Sequence, residues 1–512
     1  MDQVQDSTAE VSAEQEFINR RSAIRRDMGG RDRIDHLHRE GRLTAREHIE
    51  ALVDPGSFRE IGTFAVSARL EDRESTPGDG KIGGHATVGG LPVTVCTDDE
   101  TVKRASSGRV GGDKLERMYS FALRSGNPFV HLGMTGGARL PDLLGSAGLT
   151  AFPPTDLFAD RDRRIPLVSG IVGDSYGGSS FRSAVSDLVV QLRGTCMAVV
   201  SSRVMRAATG EDCTPEELGG VGVGESLTGQ VDVAVDDYRQ MCDVIRRFLD
   251  VMPSNSGQAP RVLEPPASSA ERAGIENLVP TRRSRAYDMR KVLSQVLDPG
   301  SYCGIADRFG PSLLCGLGRL GGFPVGVIAS QPLVMAGTIT PDACTKMVRH
   351  MVLCDSFNLP IIFLQDTPGF MVGRGAEHAR LLTGVGRLFT AWNQITTPVI
   401  SLVVRKAFGL AYYAMGGTAI GSSLHLSWPA AEISFMDPGV GASVLTTGKF
   451  SRDGDFDDFV YDTSPYPAAG LGRIDEIIAP SETVEWLTWA VGRLWMPDGM
   501  NSEGRLRNWP PR

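Results

Sequence analysis

Short apolar runs alternate with amphipathic stretches along most of this chain. Phe129-Val-His-Leu132, Ile165-Pro-Leu-Val-Ser-Gly-Ile-Val172, Ile361-Ile-Phe-Leu364 and Pro398-Val-Ile-Ser-Leu-Val-Val404 are the clearest of these runs. Continuous apolar segments of this length suit strands buried on both faces, and the amphipathic stretches between them predict crossover helices. The pattern therefore predicts an α/β fold.

The apolar runs fall in two groups, separated by the stretch richest in Pro, Ser and Gly. It runs from Met252-Pro-Ser-Asn-Ser-Gly-Gln-Ala-Pro260 through Glu264-Pro-Pro-Ala-Ser-Ser-Ala270. Such a composition solvates well and resists helix and sheet, so it predicts a linker. A chain of 512 residues is also long for one core, and two domains are expected, at 1–260 and 271–512. They share a spacing. Prolines 128 and 360, glycines 137 and 369, prolines 166 and 398, and glycines 177 and 409 each lie 232 residues apart. Pro before a buried strand and Gly after one are common in any α/β chain, but four landmarks at one offset favour an internal duplication over coincidence.

Composition narrows the function. Hydrophobic residues at 41% and charged residues at 22% describe a globular chain rather than a disordered one. A net charge of -8 argues against a surface built to neutralise nucleic-acid phosphates, though a local basic patch can still hold a small phosphorylated ligand. The eight cysteines lie far apart, with no C-x-x-C pair, and are expected to be reduced, mostly buried thiols. The first 50 residues carry charge throughout, unlike a signal or transit peptide, and no run of about 18 apolar residues suggests a membrane span. The expected location is the cytoplasm.

Candidate chemistry lies in the glycine turns. Ile171-Val-Gly-Asp-Ser-Tyr-Gly-Gly-Ser-Ser180 leads an apolar strand into small residues and then into the amphipathic Phe181-Arg-Ser-Ala-Val-Ser-Asp187. Backbone N–H groups at a helix start, with the positive end of the helix dipole, favour a ligand oxygen as it gains negative charge. Small side chains let the ligand approach the backbone. One such turn reads most simply as a tight connection; two at one offset point to a paired site. None of the eight histidines falls in a Ser/His/Asp or H-E-x-x-H pattern. In Thr209-Gly-Glu-Asp-Cys-Thr-Pro-Glu-Glu-Leu-Gly-Gly220, Thr214-Pro-Glu-Glu217 reads as a helix N-cap with an acidic first turn rather than as catalytic carboxylates.

Four stretches carry a resemblance to a known family: Gly136-Gly-Ala-Arg-Leu140, Thr209 to Gly220, Asp355-Ser-Phe-Asn-Leu-Pro-Ile-Ile-Phe-Leu-Gln-Asp-Thr-Pro-Gly-Phe370, and Arg405-Lys-Ala-Phe-Gly-Leu-Ala-Tyr-Tyr-Ala-Met-Gly-Gly417. Over nearly its whole length the chain resembles the carboxyltransferase (β) subunits of biotin-dependent acyl-CoA carboxylases. The resemblance implies two tandem crotonase-like domains and carboxyl transfer from carboxybiotin to the α-carbon of a CoA thioester through an enolate. It further implies a partner bearing biotin carboxylase and biotin carboxyl carrier functions, and a homo-oligomer, a hexamer built as a trimer of dimers. It assigns the thioester oxygen to the amides of Gly177 and Gly178 and the biotin oxygen to those of Leu410 and Ala411. Lys114, with Gly136, Gly137, Ala138 and Arg139, would hold CoA, and Tyr413 would stand at the acyl-selecting position.

The sequence departs from the family pattern in places. Leu410 replaces a glycine and stands where biotin would bind; Met134-Thr135 replaces an acidic-Ser pair; and Val221-Gly-Val-Gly-Glu225 replaces a histidine-containing stretch. A biotin-independent carboxyacyl-CoA decarboxylase or lyase, and a non-catalytic scaffold subunit, therefore stand as alternatives.

Overall fold

The computed structural model describes residues 12–151, 162–265, 274–438, 440–441, 444, 462–495 and 505–509. Among these, the strands form two eight-stranded sheets, one drawn from Arg59 to Val235 and the other from Cys303 to Ile477. Each sheet contains an antiparallel hairpin, Lys81–Val88 with Leu91–Asp98 and Leu313–Leu320 with Phe323–Ser330. The hairpin turns are Gly89-Gly90, with φ of 58° and 80°, and Gly321-Gly322, with φ of 59° and 83°. Two successive positive φ values give the turn that matches strand twist, and glycine adopts them without a β-carbon clash.

A crossover helix follows each hairpin, Arg109–Ser125 in the first half and Pro341–Ser356 in the second. Parallel strands come next: Phe129–Thr135 beside Leu167–Tyr176, and Ile361–Thr367 beside Val399–Phe408. Both pairs share a register shift at the same place, between Gly133 and Thr135 and between Gln365 and Thr367. The hairpin strands and these parallel strands all begin and end 232 residues after their counterparts, so the offset seen in four landmarks runs through the architecture.

The two longest strands extend further than their apolar runs suggest. Arg405 and Lys406 look like a strand end in the sequence, yet both lie buried inside Val399–Phe408. Asp366 on the neighbouring strand accepts from Arg405 Nε at 2.9 Å and lies 3.5 Å from Lys406 Nζ, while the Arg405 guanidinium stacks 4.9 Å from the Tyr287 ring. Paired in this way, charged residues continue a buried strand.

One hydrophobic core reaches from Met28 through both sheets to Leu506. Polar contacts reinforce it: Arg349 Nη2 pairs with the buried Asp232 at 2.7 Å, and Arg319 holds Asp250 at 3.0 Å. Two contacts tie the halves on either side of the expected boundary together. Asn358 Nδ2 donates to the carbonyls of Ser256 and Gln258, which pins the first part of the expected linker to the second half; residues 266–270 of that linker lie outside the described residues. Residues 505–509 return to the first half, where Arg163 Nη1 donates to the carbonyls of Arg507 and Trp509, each at 2.8 Å. Seven of the eight cysteines are buried and all are free thiols. Thr214 and Glu217 form the reciprocal cap expected for the helix Pro215–Gly219.

Burial makes the fold sensitive to acid. Desolvation pushes His48, His350 and His425 down to about 4, 3 and 4. Their unfolded rings protonate near 6.5, so as pH falls the unfolded state takes up protons first and gains on the native state. Denaturation midpoints are expected to hold above pH 6.5 and to fall from there toward pH 4, with His425→Gln shallower in this window than wild type.

Candidate active site

The two longest strands end in the same turn. Gly177 and Gly409 each have φ of 64°, a left-handed conformation that reverses the chain away from the sheet. The Gly177 N–H donates to Val199 O at 3.1 Å and the Gly409 N–H to Ser434 O at 2.9 Å, which ties each turn to an adjacent segment. Short helices start at once, Gly178–Ala184 in the first half and Ala411–Ala414, capped by Leu410, in the second. Their opening amides have no residue four places back in helical geometry to accept from them. The N–H groups of Gly178 and Ser179, and of Leu410 and Ala411, accordingly make no hydrogen bond among the described residues. A β-carbon placed on Gly177 or Gly178 would meet no atom within 4 Å, so the space beside the first turn is open.

This geometry corrects one expectation. Gly177 is the pivot of its turn and its N–H is already spent on Val199; the open pair in the first half is Gly178 and Ser179. The offset of 232 contained that answer, since it carries 410 and 411 back to 178 and 179. In the second half Leu410 and Ala411 occupy the positions equivalent to Gly178 and Ser179. The Leu410 side chain is 56% exposed and leaves its amide unbonded. Tyr413 is partly exposed one helical turn on, 5.0 Å from the Tyr412 ring, and its counterpart in the first half is the exposed Phe181.

The expected CoA-holding residues are placed differently. Lys114 is buried, and its ammonium donates to the carbonyls of Lys81 at 2.6 Å, Gly62 at 3.0 Å and Gly78 at 3.4 Å. Three donors meet three acceptors, which leaves nothing for a phosphate. Lys346, exactly 232 residues later, does the same with Leu313, Phe309 and Gly310. Desolvation lowers the proton affinity of both lysines, and both serve the repeated fold. Arg139 is also buried, with Nη1 on Asp79 at 2.6 Å and Nη2 on the Ser106 carbonyl at 3.1 Å. Gly136, Gly137 and Ala138 shape the loop that brings Arg139 there: Gly137 has φ of 95°, and Ala138 bridges Ser107.

Sequence reasoning missed a basic cavity of about 790 Å³ beside the first turn. Asp174 and Tyr176 from the strand leading to Gly177 line it, together with Gly136, Arg104, Arg193 and Arg203. Arg193 pairs with Asp236, whereas Arg104 and Arg203 are exposed and have no carboxylate partner among the described residues. Arg104 sits in an unusual segment: Lys103, Arg104 and Ala105 have φ of 48°, 56° and 54°. A left-handed non-glycine residue costs about 1 kcal/mol or more. The Arg104 carbonyl, accepting from Gly136 N–H at 3.1 Å, helps hold the segment. The only signal available in the sequence was the scattered Lys103-Arg104 and Arg203, which no spacing rule brings together.

Comparison with known proteins agrees with the fold. Residues 36–496 match the carboxyl transferase domain model. The carboxyltransferase subunit of propionyl-CoA carboxylase from Haloferax mediterranei is 34% identical over 89% of this chain and 91% of that protein. The methylmalonyl-CoA decarboxylase subunit alpha of Veillonella parvula is 30% identical over 93% and 94%. Among solved structures, the transcarboxylase 12S subunit, described as a hexamer with methylmalonyl-CoA bound, superposes with a TM-score of 0.88 at 28% identity and covers 94% of this chain and 96% of that one. The class so defined is an α/β enzyme of two tandem crotonase-like units. The chain belongs to the carboxyl transferase family, whose members include the carboxyltransferase subunits of biotin-dependent acyl-CoA carboxylases. Among the described residues, no helix is long and apolar enough to cross a membrane.

The placement of Lys114 predicts that Lys114→Met lowers the unfolding free energy by about 2 kcal/mol, because buried carbonyls lose their donor. The folded variant should keep its KM for acyl-CoA within about twofold; a large rise in KM at unchanged stability would return Lys114 to the ligand. Thermal unfolding and steady-state kinetics check this together.

Proposed function

We propose that the chain transfers a carboxyl group between carboxybiotin, carried on a partner subunit, and the α-carbon of a CoA thioester. One observation carries this reading: the two halves present the same pivot glycine followed by two open amides, a pair of oxyanion sites for a reaction with two developing oxyanions. The Gly178 and Ser179 amides would accept the thioester oxygen and gain strength as it becomes an enolate. The Leu410 and Ala411 amides would hold the ureido oxygen of biotin. An N–H needs no particular side chain, and the Leu410 amide is unbonded, so the turn fits the group despite the leucine. Carboxybiotin, when bound, supplies the carboxyl carbon. Arg104 and Arg203 in the basic cavity suit the phosphates of CoA. The exposed Phe181, Val199 and Val204 near the first turn and Leu410, Phe435 and Tyr413 near the second are apolar surfaces that oligomerisation would cover, with a hexamer as the expected assembly.

A second reading, release of the carboxyl group from a carboxyacyl-CoA without biotin, draws on Leu410 standing exposed at the second turn. It would need only the first pair of amides. A scaffold role is opposed by the open amides at both turns.

Leu410→Pro separates the two active readings. Leu410 has φ of -65°, which proline shares, and its N–H is unbonded, so the change deletes one donor without breaking the helix. Biotin-dependent transfer should fall about 10²-fold or more while acyl-CoA affinity is unchanged. Carbon dioxide release without biotin, indifferent to Leu410→Pro, would support the decarboxylase. Arg104→Ala and Arg203→Ala should each raise KM for acyl-CoA about tenfold with little change in kcat.

A further inference from the structure

The halves differ beneath their amide turns. The helix Gly178–Ala184 buries Ser179, Ser180, Arg182 and Ser183. At the offset of 232, the second half has Ala411, Tyr412, Ala414 and Met415. The neighbouring strands follow suit: Lys81, Asp98 and His131 in the first half correspond to Leu313, Ser330 and Phe363 in the second, all six of them buried.

Hydrogen bonding in the polar half is unfinished. Arg182 gives one Nη2 donor to Glu116 at 2.7 Å, but its Nε and Nη1 are buried without a partner. The Ser179 hydroxyl is buried and makes no hydrogen bond. His131 Nε2 faces Asp98 Oδ2 at 3.6 Å, and its Nδ1 has no hydrogen-bond partner. That carboxylate is already engaged by Lys81 Nζ and by Met134 N–H. Ser179 and His131 converge over Gly133: a β-carbon there would stand 2.5 Å from Ser179 Oγ and 3.1 Å from His131 Cε1. The corresponding residue in the second half, Gln365, donates to Ser401 Oγ at 2.7 Å and to the Met415 carbonyl at 2.9 Å, and its Oε1 is the one atom at these matched positions of the second half that is buried without a partner.

Leaving buried polar groups unpaired works against stability. The second half achieves the same backbone with alanine and phenylalanine at these positions, so the fold does not require the polar set. Groups kept at such a cost are the expected mark of function.

We propose that Ser179, His131 and Arg182 are positioning residues of the first turn, a reserve of unpaired polar groups behind its amides that favours the negative charge gained by the thioester oxygen. The inference rests on the first turn being the thioester site. In a buried, poorly screened setting this charge acts across one helical turn. The ground-state thioester has no such charge, so the support appears in kcat rather than in KM.

The test exchanges these residues for those of the other half, as Ser179→Ala, His131→Phe and the pair together. Carboxyl transfer from methylmalonyl-CoA, and in parallel malonyl-CoA, to free biotin is followed alongside thermal unfolding. Expected are an unfolding midpoint at or above wild type, a fall in kcat of tenfold or more, and KM for the CoA ester within twofold. Unchanged kcat in the folded variants overturns the inference and leaves the proposed function standing. So does a joint loss of kcat, KM and unfolding midpoint, which marks a structural role; if the double variant does not fold, Ser179→Ala alone decides. Absence of CoA-ester binding by wild type would overturn the proposed function and this inference with it.

Discussion

An amide at the first turn of a helix has no carbonyl behind it, and the proposed chemistry of this protein depends on two such pairs. Gly177 and Gly409 create them. Each takes a left-handed φ, spends its own N–H on a neighbouring segment, and leaves the next two amides without a partner among the described residues. A β-carbon at either pivot would be strained by its φ alone. The long strands behind the turns fix where the amides stand, and the shared core fixes the strands. Much of the rest, from the paired glycines of the hairpins to the caged ammonium groups of Lys114 and Lys346, secures that frame twice over.

Duplication gives two equal frames; their surroundings divide the labour. Under and beside the first turn lie a polar layer and a basic cavity. Arg182, Ser179 and His131 keep unpaired groups there, and Arg104 projects from a strained segment. Beneath the second turn the layer is mainly apolar, and an exposed leucine stands at its mouth. In the proposed reading this asymmetry matches the ligands: a thioester whose oxygen acquires charge and whose nucleotide carries phosphates on one side, and a neutral ureido ring on the other.

Much of this was legible in the sequence. The offset of 232 gave the repeat, and the apolar runs gave the central strands, because both depend on local spacing. Where the strands end was hidden, since Arg405 and Lys406 are held in the sheet by Asp366 on another strand and by Tyr287 and the Arg285 carbonyl, all distant in sequence. The ligand assignments suffered from the same limit. Lys114 and Arg139 carry the right charge for phosphate, but their partners, the carbonyls near Gly62 and Lys81 and the carboxylate of Asp79, come from distant positions that no motif connects. Arg104 and Arg203 were unremarkable in sequence and meet only across the cavity. Gly177 was hard to place for a simpler reason: a glycine pair suggests two open amides, whereas the backbone spends the first on Val199 and leaves the second unbonded.

The central claim is that the Gly178 and Ser179 amides bind an oxyanion better than a neutral thioester. The most direct measurement is calorimetric titration with a CoA thioether bearing a nitronate in place of the thioester enolate, on wild type and on Gly178→Pro. The account predicts that wild type binds the nitronate about 10²-fold or more tightly than the matching acyl-CoA, and that Gly178→Pro loses this preference while still binding acyl-CoA. Equal preference in the two proteins would contradict it.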